Sequence, residues 1–573
     1  MLYRATMCAL VLVDVHSSKR SIHNRGIAVH FQNVLAAQNT APSPGSPDNA
    51  AVILASPDFA TWLDDEAFLA DLLQQLPLSQ QKDSNSNETS VLCAVVAALA
   101  LPQSPKSVSG GPNERPPVSG LSIAYGNTDK LLPGIWQGDD SKAALRSSRG
   151  SIGSDLDKDA AVTVEVPPLA GAETDSTSLR VTLPLSNTIF QNGRRSTLLA
   201  SLWTSGENGL QRQNQESRDQ QLIVVPSPSQ AVTNVSAPLF PLSEPLKIAS
   251  GLGNIVRQVF DKETSKPIPA ARELEAQIPA LLKARRRASP ALEDGALAVW
   301  GLVVPAQVVP FYEQLKQKLQ SEQESSLDAL SNDADHAPAA EQQAAAQASA
   351  YFTELLATGC RLHRILSGGG GWGLKQGLLS LDPQMSHPAA ASLSSVESSS
   401  DSASQSHKIL GEERRDEEMD DEAMLSFIRS FKNETLVGRE VSEAEAAAGE
   451  ASEGSGVDGV AMPGAFVQFF VAPLSVEGTK VEGETLKSAD TGPEWSIALG
   501  AHAGYDGSPP ILDSKTATTG EVALIHNHFG AVSNHGMYLS AVARSSNSNS
   551  GAPSTRTKLD APNAYVWGSM HPR

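Results

Sequence analysis

The segment Ala51-Val52-Ile53-Leu54-Ala55-Ser56-Pro57 predicts a buried β-strand, because a continuous apolar run with β-branched residues ends at a Ser-Pro break. Apolar residues at helical spacing follow from Phe59 to Leu76 and predict a helix. Two further runs, Val91–Val96 and Gly120–Tyr125, predict more strands, although the first is also compatible with a short helix. A strand, a helix and further strands at this spacing indicate an α/β layer.

A second series of elements begins near Pro245. The pattern predicts a strand at Ile255–Phe260, a helix from Pro269 to about Arg287 and a strand at Leu297–Val304. We therefore predict an α/β chain of the mixed α+β class, with two sheet-containing halves and polar insertions. The predicted boundaries are a first half at 50–235, a second half at 240–545, disordered insertions at 320–349, 386–411 and 440–460, and a tail at 546–573.

The composition narrows the possible partners. The chain has 573 residues and a net charge of −20, with 64 acidic against 44 basic side chains. This balance argues against a nucleic-acid partner, which needs a basic surface. No apolar run approaches the ~20 residues of a transmembrane segment, so none is predicted. The acidic and Ser-rich insertions are possible binding regions for a protein partner.

The N-terminal region and the cysteines give indications of the cellular compartment in which the protein is located. Residues 1–47 contain one acidic residue, Asp14, together with basic residues and serines, a composition that resembles a mitochondrial transit peptide. The alternative is an unstructured N-terminus of a cytoplasmic protein. The three cysteines, Cys8, Cys93 and Cys360, are far apart in the sequence, which fits a reducing intracellular compartment better than a disulfide framework.

A glycine-rich loop at 367–377 is the first candidate binding site. Glycine permits positive φ angles and close approach of a ligand to the backbone. The spacing resembles a phosphate-binding loop, but Leu374 stands where the lysine is needed and no Ser or Thr follows Lys375. The open alternatives are a phosphorylated ligand or nucleotide, another small ligand, and a structural turn anchored by Trp372. The candidate binding residues are Gly369, Gly370, Gly371, Trp372 and Lys375.

A histidine pair is the second candidate site. On one strand, His526 and His528 would face the same side and could line a ligand pocket. With His535 as a third ligand they could also hold a metal, and hydrogen-bonded structural histidines are the remaining alternative. The sequence contains neither a G-x-S-x-G elbow nor an H-E-x-x-H helix. We therefore predict no catalytic residue, no cofactor and no dedicated metal centre.

The order of elements resembles the FIST (F-box and intracellular signal transduction) domain. Its N-terminal half is similar to Ala51–Pro57, a following helix, Leu92–Ala98 and Gly120–Tyr125. Its C-terminal half is similar to a strand–turn–strand at Ile248–Val259 and a helix that begins with Pro269-Ala270-Ala271-Arg272-Glu273-Leu274.

The resemblance implies a non-enzymatic, sensory protein for signal transduction. Such a protein would bind a small metabolite, for example an amino acid. Two alternatives remain at this point. The chain could be an enzyme that binds a phosphorylated ligand or nucleotide through 367–377, or a mitochondrial assembly and interaction factor.

Overall fold

The computed structural model describes the greater part of the chain as a mixture of helices and strands. The predicted mixed α+β class is therefore confirmed. All the described residues belong to one compact unit, which comprises Met1–Ser392 and Val460–Arg573. The described ranges are 6–12, 48–78, 88–103, 117–136, 160–170, 177–206, 209–288, 297–315, 337–368, 377–384, 460–474, 494–502, 522–543 and 556–570.

Strands dominate these ranges. In chain order they are β1 (Thr6–Leu12), β2 (Ala50–Ala55), β3 (Glu88–Val95), β4 (Gly120–Gly126), β5 (Ala161–Val166), β6 (Thr177–Pro184), β7 (Asn187–Thr188), β8 (Arg194–Ser196), β9 (Leu198–Gly206), β10 (Gly209–Ser217), β11 (Gln220–Val224), β12 (Asn234–Ser236), β13 (Phe240–Pro241), β14 (Leu246–Leu252), β15 (Ile255–Phe260), β16 (Pro267–Pro269), β17 (Val299–Val304), β18 (Arg361–Gly368), β19 (Leu379–Leu381), β20 (Phe466–Val471), β21 (Trp495–Ala501), β22 (Val522–His526), β23 (His528–Ser533), β24 (Met537–Ala543), β25 (Arg556–Leu559) and β26 (Ala564–Met570).

Helices are fewer and cover the faces of the sheets. Residues 309–315 are also helical. The α-helices are α1 (Glu66–Gln75), α2 (Thr128–Leu131), α3 (Ile189–Asn192), α4 (Ala271–Ala288) and α5 (Ala337–Ala357), and the 3-10 helices are Pro57–Leu63 and Ala306–Val308.

The predicted strand at 51–57 lies at the centre of a seven-stranded sheet. The order of this sheet is β10-β9-β3-β2-β4-β1-β22, and β2 is parallel to β3 but antiparallel to β4. All six residues of β2 are buried. Ile53 packs with the helices on one face, whereas Val52 and Leu54 join the larger core on the other. Burial on both faces explains why the segment is apolar throughout rather than alternating.

The single helix predicted from Phe59 to Leu76 is divided in two. A 3-10 helix ends at Leu63, and α1 begins after Asp65. The Asp65 carboxylate accepts hydrogen bonds from the backbone N–H groups of Ala67 at 3.0 Å and Phe68 at 3.1 Å. This N-cap satisfies donors that the first helical turn leaves unpaired, so the chain restarts its helix there.

We expect the Asp65→Ala substitution to lower the free energy of unfolding by about 1 kcal/mol, since it removes the N-cap acceptor of α1. Urea denaturation followed by circular dichroism measures the change. Asp65→Asn is the matched control because its side-chain oxygen can still accept the bond, and it should remain within a few tenths of a kcal/mol of wild type. Equal losses in the two variants would contradict the capping role.

Two smaller sheets pack on the face of the seven-stranded sheet opposite α1, and the three sheets share one hydrophobic core. Their orders are β11-β5-β6-β24-β25 and β12-β26-β21-β23. Val52 of β2, Val164 of β5 and Leu499 of β21 are all buried in this core. The core therefore draws on both of the predicted halves, 50–235 and 240–545.

The eight-stranded sheet contains a closed barrel. Strands β17, β18, β19, β15, β14 and β20 follow one another, and β20 pairs back with β17. Each neighbouring pair is antiparallel. On β17, Val299 and Val303 fill the barrel, while Trp300 and Leu302 point outward into the shared core. Alternating side chains thus join the barrel to the other sheets.

Part of a predicted disordered insertion is helical. Residues 337–349 of the 320–349 insertion belong to α5. Alanine and glutamine, which dominate this stretch, are strong helix formers, and the low complexity concealed that preference. The buried side chains of Phe352 and Leu355 anchor the second half of α5 in the core. The insertions at 386–411 and 440–460 lie outside the described residues, except for residue 460.

The two ends of the chain also differ from the sequence-based boundaries. Within 1–47, β1 occupies a place between β4 and β22. The predicted tail, 546–573, contributes β25 and β26, which pair with β24 and β21 respectively. Val566 of β26 is fully buried, so this region completes the fold rather than extending from it. Among the described helices, none is long and apolar enough to cross a membrane.

Candidate functional site

The glycine-rich loop connects two neighbouring strands of the barrel. Gly368, the last residue of β18, pairs with Leu379 of β19, so 369–376 joins the two arms of a β-hairpin. A phosphate-binding loop instead leads from a strand into a helix, whose N-terminus holds the phosphate. The elements flanking the loop therefore differ from those of a nucleotide site. The candidate residues themselves, Gly369, Gly370, Gly371, Trp372 and Lys375, lie outside the described residues.

The two histidines of the second candidate site lie on different strands. His526 ends β22 in the seven-stranded sheet, and His528 begins β23 in the four-stranded sheet. Asn527 between them has a φ of 54°, a left-handed conformation that interrupts the extended backbone. The expectation that both side chains share one face of a single strand is therefore wrong.

His528 is a buried structural residue. Its Nε2–H donates to the Ala100 carbonyl oxygen at 2.8 Å, which leaves Nδ1 to accept from the Ser496 hydroxyl at 2.8 Å. Both ring nitrogens are thus occupied. The hydrogen bond between His528 and Ala100 requires a glycine at position 530, since a Cβ there would lie 2.1 Å from the Ala100 carbonyl oxygen. This geometry favours the structural interpretation of His528 over ligand binding.

The other two histidines do not complete a metal site with His528. His526 is half-buried, and this burial lowers its pKa. His535 is exposed, and its backbone N–H donates to the Ser533 hydroxyl at 3.2 Å. Within the part of the chain that the structure describes, no group of three or more His, Cys, Asp or Glu side chains is placed to hold a metal ion.

A cleft of about 580 Å³ lies beside the barrel, and its described lining residues include none of the histidines of the second candidate site. Its walls come from the barrel strand β20, from α4 and α5, from helical residues 309–315 and from the connections around β13–β16. Its volume lies within the range of about 300–1,000 Å³ that is typical of small-ligand pockets. Its lining includes Ser243, Glu244, Asp261, Lys262, Glu263, Glu273, Tyr312, Leu315, Ala348, Tyr351, Phe352, Leu355, Gln468 and Phe470.

One side of the cleft is apolar and aromatic. Tyr351, Phe352 and Leu355 are carried by α5, where a spacing of three to four residues places them on one face. Phe352 packs on Phe470 of β20, with ring centroids 5.6 Å apart. These residues are buried and fixed by the shared core, so they provide a preformed surface for an apolar group.

A chain of hydrogen bonds forms the polar part of the floor. The Tyr312 hydroxyl donates to Gln468 Oε1 at 2.5 Å, and Gln468 Nε2 donates to the Ser243 carbonyl oxygen at 3.0 Å. The Ser243 hydroxyl accepts from the backbone N–H of Phe469 at 3.1 Å. Burial raises the pKa of Tyr312, so its phenol stays protonated. The network ties residues 309–315 to the barrel.

We expect Tyr312→Phe to lower the free energy of unfolding by about 1–2 kcal/mol, because Gln468 loses the donor to its carbonyl oxygen. Chemical denaturation measures the loss. In the double variant Tyr312→Phe/Gln468→Leu, the polar acceptor is gone as well, so the combined cost should be smaller than the sum of the two single costs. Strict additivity would show that the two side chains do not interact.

The opposite edge of the cleft is predominantly acidic. Among the described lining residues, Glu244, Asp261, Glu263 and Glu273 are acidic and Lys262 is the one cation. The Lys262 ammonium lies 3.2 Å from the Glu244 carboxylate. Hydrogen bonds to the Asp261 carboxylate, first among them that from the Thr264 backbone N–H, lower its pKa and keep it ionised.

Sequence patterns pointed only indirectly to the cleft. Tyr312 and Leu315 lie where the sequence indicates an amphipathic helix, and that periodicity was a usable signal. The acidic edge is assembled from turns and from the first part of α4, which are not adjacent in sequence. Tyr351 and Phe352 come immediately after a low-complexity stretch, which hides their role in a pocket.

Comparisons of the chain with protein-family models, with curated proteins and with solved structures find no match. The resemblance to the FIST domain therefore stays a prediction. So do the mitochondrial or cytoplasmic location and the protein partner of the insertions.

Proposed function

We propose that this protein is a non-enzymatic, sensory binding protein that takes a small molecule into the cleft beside the barrel. The observation that carries the proposal is the combination of an aromatic wall and a charged edge around about 580 Å³. An apolar surface supplies affinity, while a few placed polar groups orient the ligand.

Among the described residues, neither the two buried thiols nor the Tyr312 phenol is activated as a nucleophile, which favours binding over catalysis. Burial raises the pKa of these thiols, Cys93 and Cys360, to about 12. Neither thiol is therefore a thiolate at neutral pH. The Tyr312 phenol is also protonated and already donates its hydrogen to Gln468. The Tyr312 phenol thus stabilises the floor of the cleft and, like the two thiols, provides no reactive nucleophile.

The position of the cleft supports a sensory role. A ligand there would contact the barrel through Phe470, α4 through Glu273 and α5 through Tyr351. Ligand binding would stabilise the arrangement of these three elements, which the free protein holds by fewer contacts. A partner that recognises the ordered surface would then respond to occupancy.

A thermal-shift screen of the full chain tests the proposed function. It compares amino acids, amines, carboxylic acids and nucleotides against wild type, Ala348→Trp and Gln343→Trp. Ala348 lines the cleft, so a tryptophan there fills it, whereas Gln343 is an exposed residue of the same helix. At about 100 times the Kd, a ligand adds roughly 2.7 kcal/mol of stability.

The expected result is a rise in Tm for at least one class of small molecule in wild type and Gln343→Trp, and no rise in Ala348→Trp. Stabilisation by ATP or NAD that persists in Ala348→Trp would favour the enzyme alternative instead. A screen in which no compound raises the Tm of wild type would count against the cleft as a binding site.

A further inference from the structure

The charges around the cleft indicate which chemical class of ligand it accepts, an inference that rests on the proposed function. In the part of the chain that the structure describes, four carboxylates and one ammonium line its acidic edge. The ammonium of Lys262 is already paired with Glu244, so an incoming carboxylate would have to compete for it. Arg272 acts electrostatically on Asp261 but is not a lining residue. The edge therefore presents net negative charge to a ligand.

The rest of the lining sets the shape of the complementary molecule. Tyr351, Phe352 and Phe470 line the cleft with aromatic side chains, which suit an apolar or aromatic body. The Tyr312 hydroxyl is fully used as a donor to Gln468 and has no second hydrogen for an anionic group. The Tyr312 hydroxyl therefore offers no hydrogen-bond donor to an anionic ligand.

We propose that the cleft binds an organic amine: a protonated ammonium group on an apolar body, without a carboxylate. The ammonium group meets the edge formed by Glu244, Glu263 and Glu273, and the body lies against the aromatic wall. This class differs from the free amino acid that the family resemblance implies, because the α-carboxylate of an amino acid would meet the same acidic edge.

Four matched probes test this assignment by isothermal titration calorimetry with the full chain. Phenethylamine, phenylalanine, 2-phenylethanol and 3-phenylpropionate share a phenyl body and differ in charge. Phenethylamine should bind at least 5-fold more tightly than the neutral alcohol and more tightly still than the other two. Its advantage should shrink as salt rises, since screening weakens exposed charge pairs.

Two variants locate the effect. Glu244→Gln/Glu273→Gln removes two acids of the edge and frees Lys262, so the preference for phenethylamine over 3-phenylpropionate should fall several-fold. Glu216→Gln changes an exposed acid on β10, outside the cleft, and should leave all four affinities unchanged.

The outcomes separate this inference from the proposed function. Equal binding of phenethylamine and 2-phenylethanol, lost in Ala348→Trp, would overturn the amine assignment and leave the binding cleft standing. Tighter binding of phenylalanine or 3-phenylpropionate would overturn the amine assignment in the same way. Failure of all four probes together with a blank thermal-shift screen would overturn both.

Discussion

Replacing Glu341 by leucine lowers the free energy of unfolding by about 3–5 kcal/mol, because it leaves the Arg285 guanidinium buried without its counter-charge. Arg285 is 5% exposed and Glu341 8% exposed. Arg285 Nη2 donates to Glu341 Oε2 at 2.8 Å and to the Ala472 carbonyl oxygen at 2.7 Å. The same carboxylate accepts from the Leu474 backbone N–H at 3.0 Å. The pair therefore holds together α4, α5 and the residues that follow β20.

Guanidinium denaturation of the Glu341→Leu variant measures this loss. The double variant Arg285→Met/Glu341→Leu should recover part of it, since an apolar pair of similar size leaves no buried charge. Glu66→Gln is the control, because Glu66 is half-exposed in its ion pair with Arg212 and should cost no more than about 1 kcal/mol. A similarly small loss in Glu341→Leu would mean that Arg285 reaches water.

Lowering the pH from 7 to 4 costs the folded protein about 3 kcal/mol through His363 alone. His363 is 1% exposed, and burial, the largest cause, lowers its pKa to about 4. Its Nδ1–H donates to the Asp382 carbonyl oxygen at 2.8 Å, and Nε2 has no hydrogen-bond partner among the described residues. The unfolded chain takes up the proton near pH 6.5, whereas the folded chain resists it. The stabilisation is present above pH 6.5 and is lost as the pH falls through about 4.

The measurement compares the pH dependence of unfolding in wild type and His363→Gln. Carboxylates and the half-buried His526 titrate in both proteins, so the difference between the two curves isolates His363. We expect His363→Gln to show a shallower decline between pH 6.5 and 4, by about 3 kcal/mol in total. Parallel curves would show that His363 protonates as readily in the folded state as in the unfolded chain.

Local patterns predicted those elements whose residues carry their own signal. The apolar run of β2 and the strand Ile255–Phe260 were both visible in sequence, and β15 has the predicted bounds. Closure of the barrel was not visible, because the pairing of β20 with β17 joins segments more than 150 residues apart. The strand β25 was missed because it has only four residues, and β26 was missed because its partner β12 lies more than 300 residues away in the sequence.

The candidate site was harder to predict than the fold. The glycine-rich loop and His528 stand out in the sequence by their composition, yet the loop connects two hairpin strands and His528 is a buried hydrogen-bonding residue. The cleft is built from common residues that tertiary packing brings together. Nothing in the sequence around Arg285 shows that this arginine, among several basic neighbours, is the buried one.

Hydrogen–deuterium exchange of the full chain, with and without saturating phenethylamine, is the most direct measurement of binding at the cleft because it locates the bound molecule. We predict binding there, with slower exchange in residues 241–246, 261–263 and 345–356, which surround the cleft, and unchanged exchange in 522–535. Slower exchange around His526 and His535, with no change at the cleft, would contradict it.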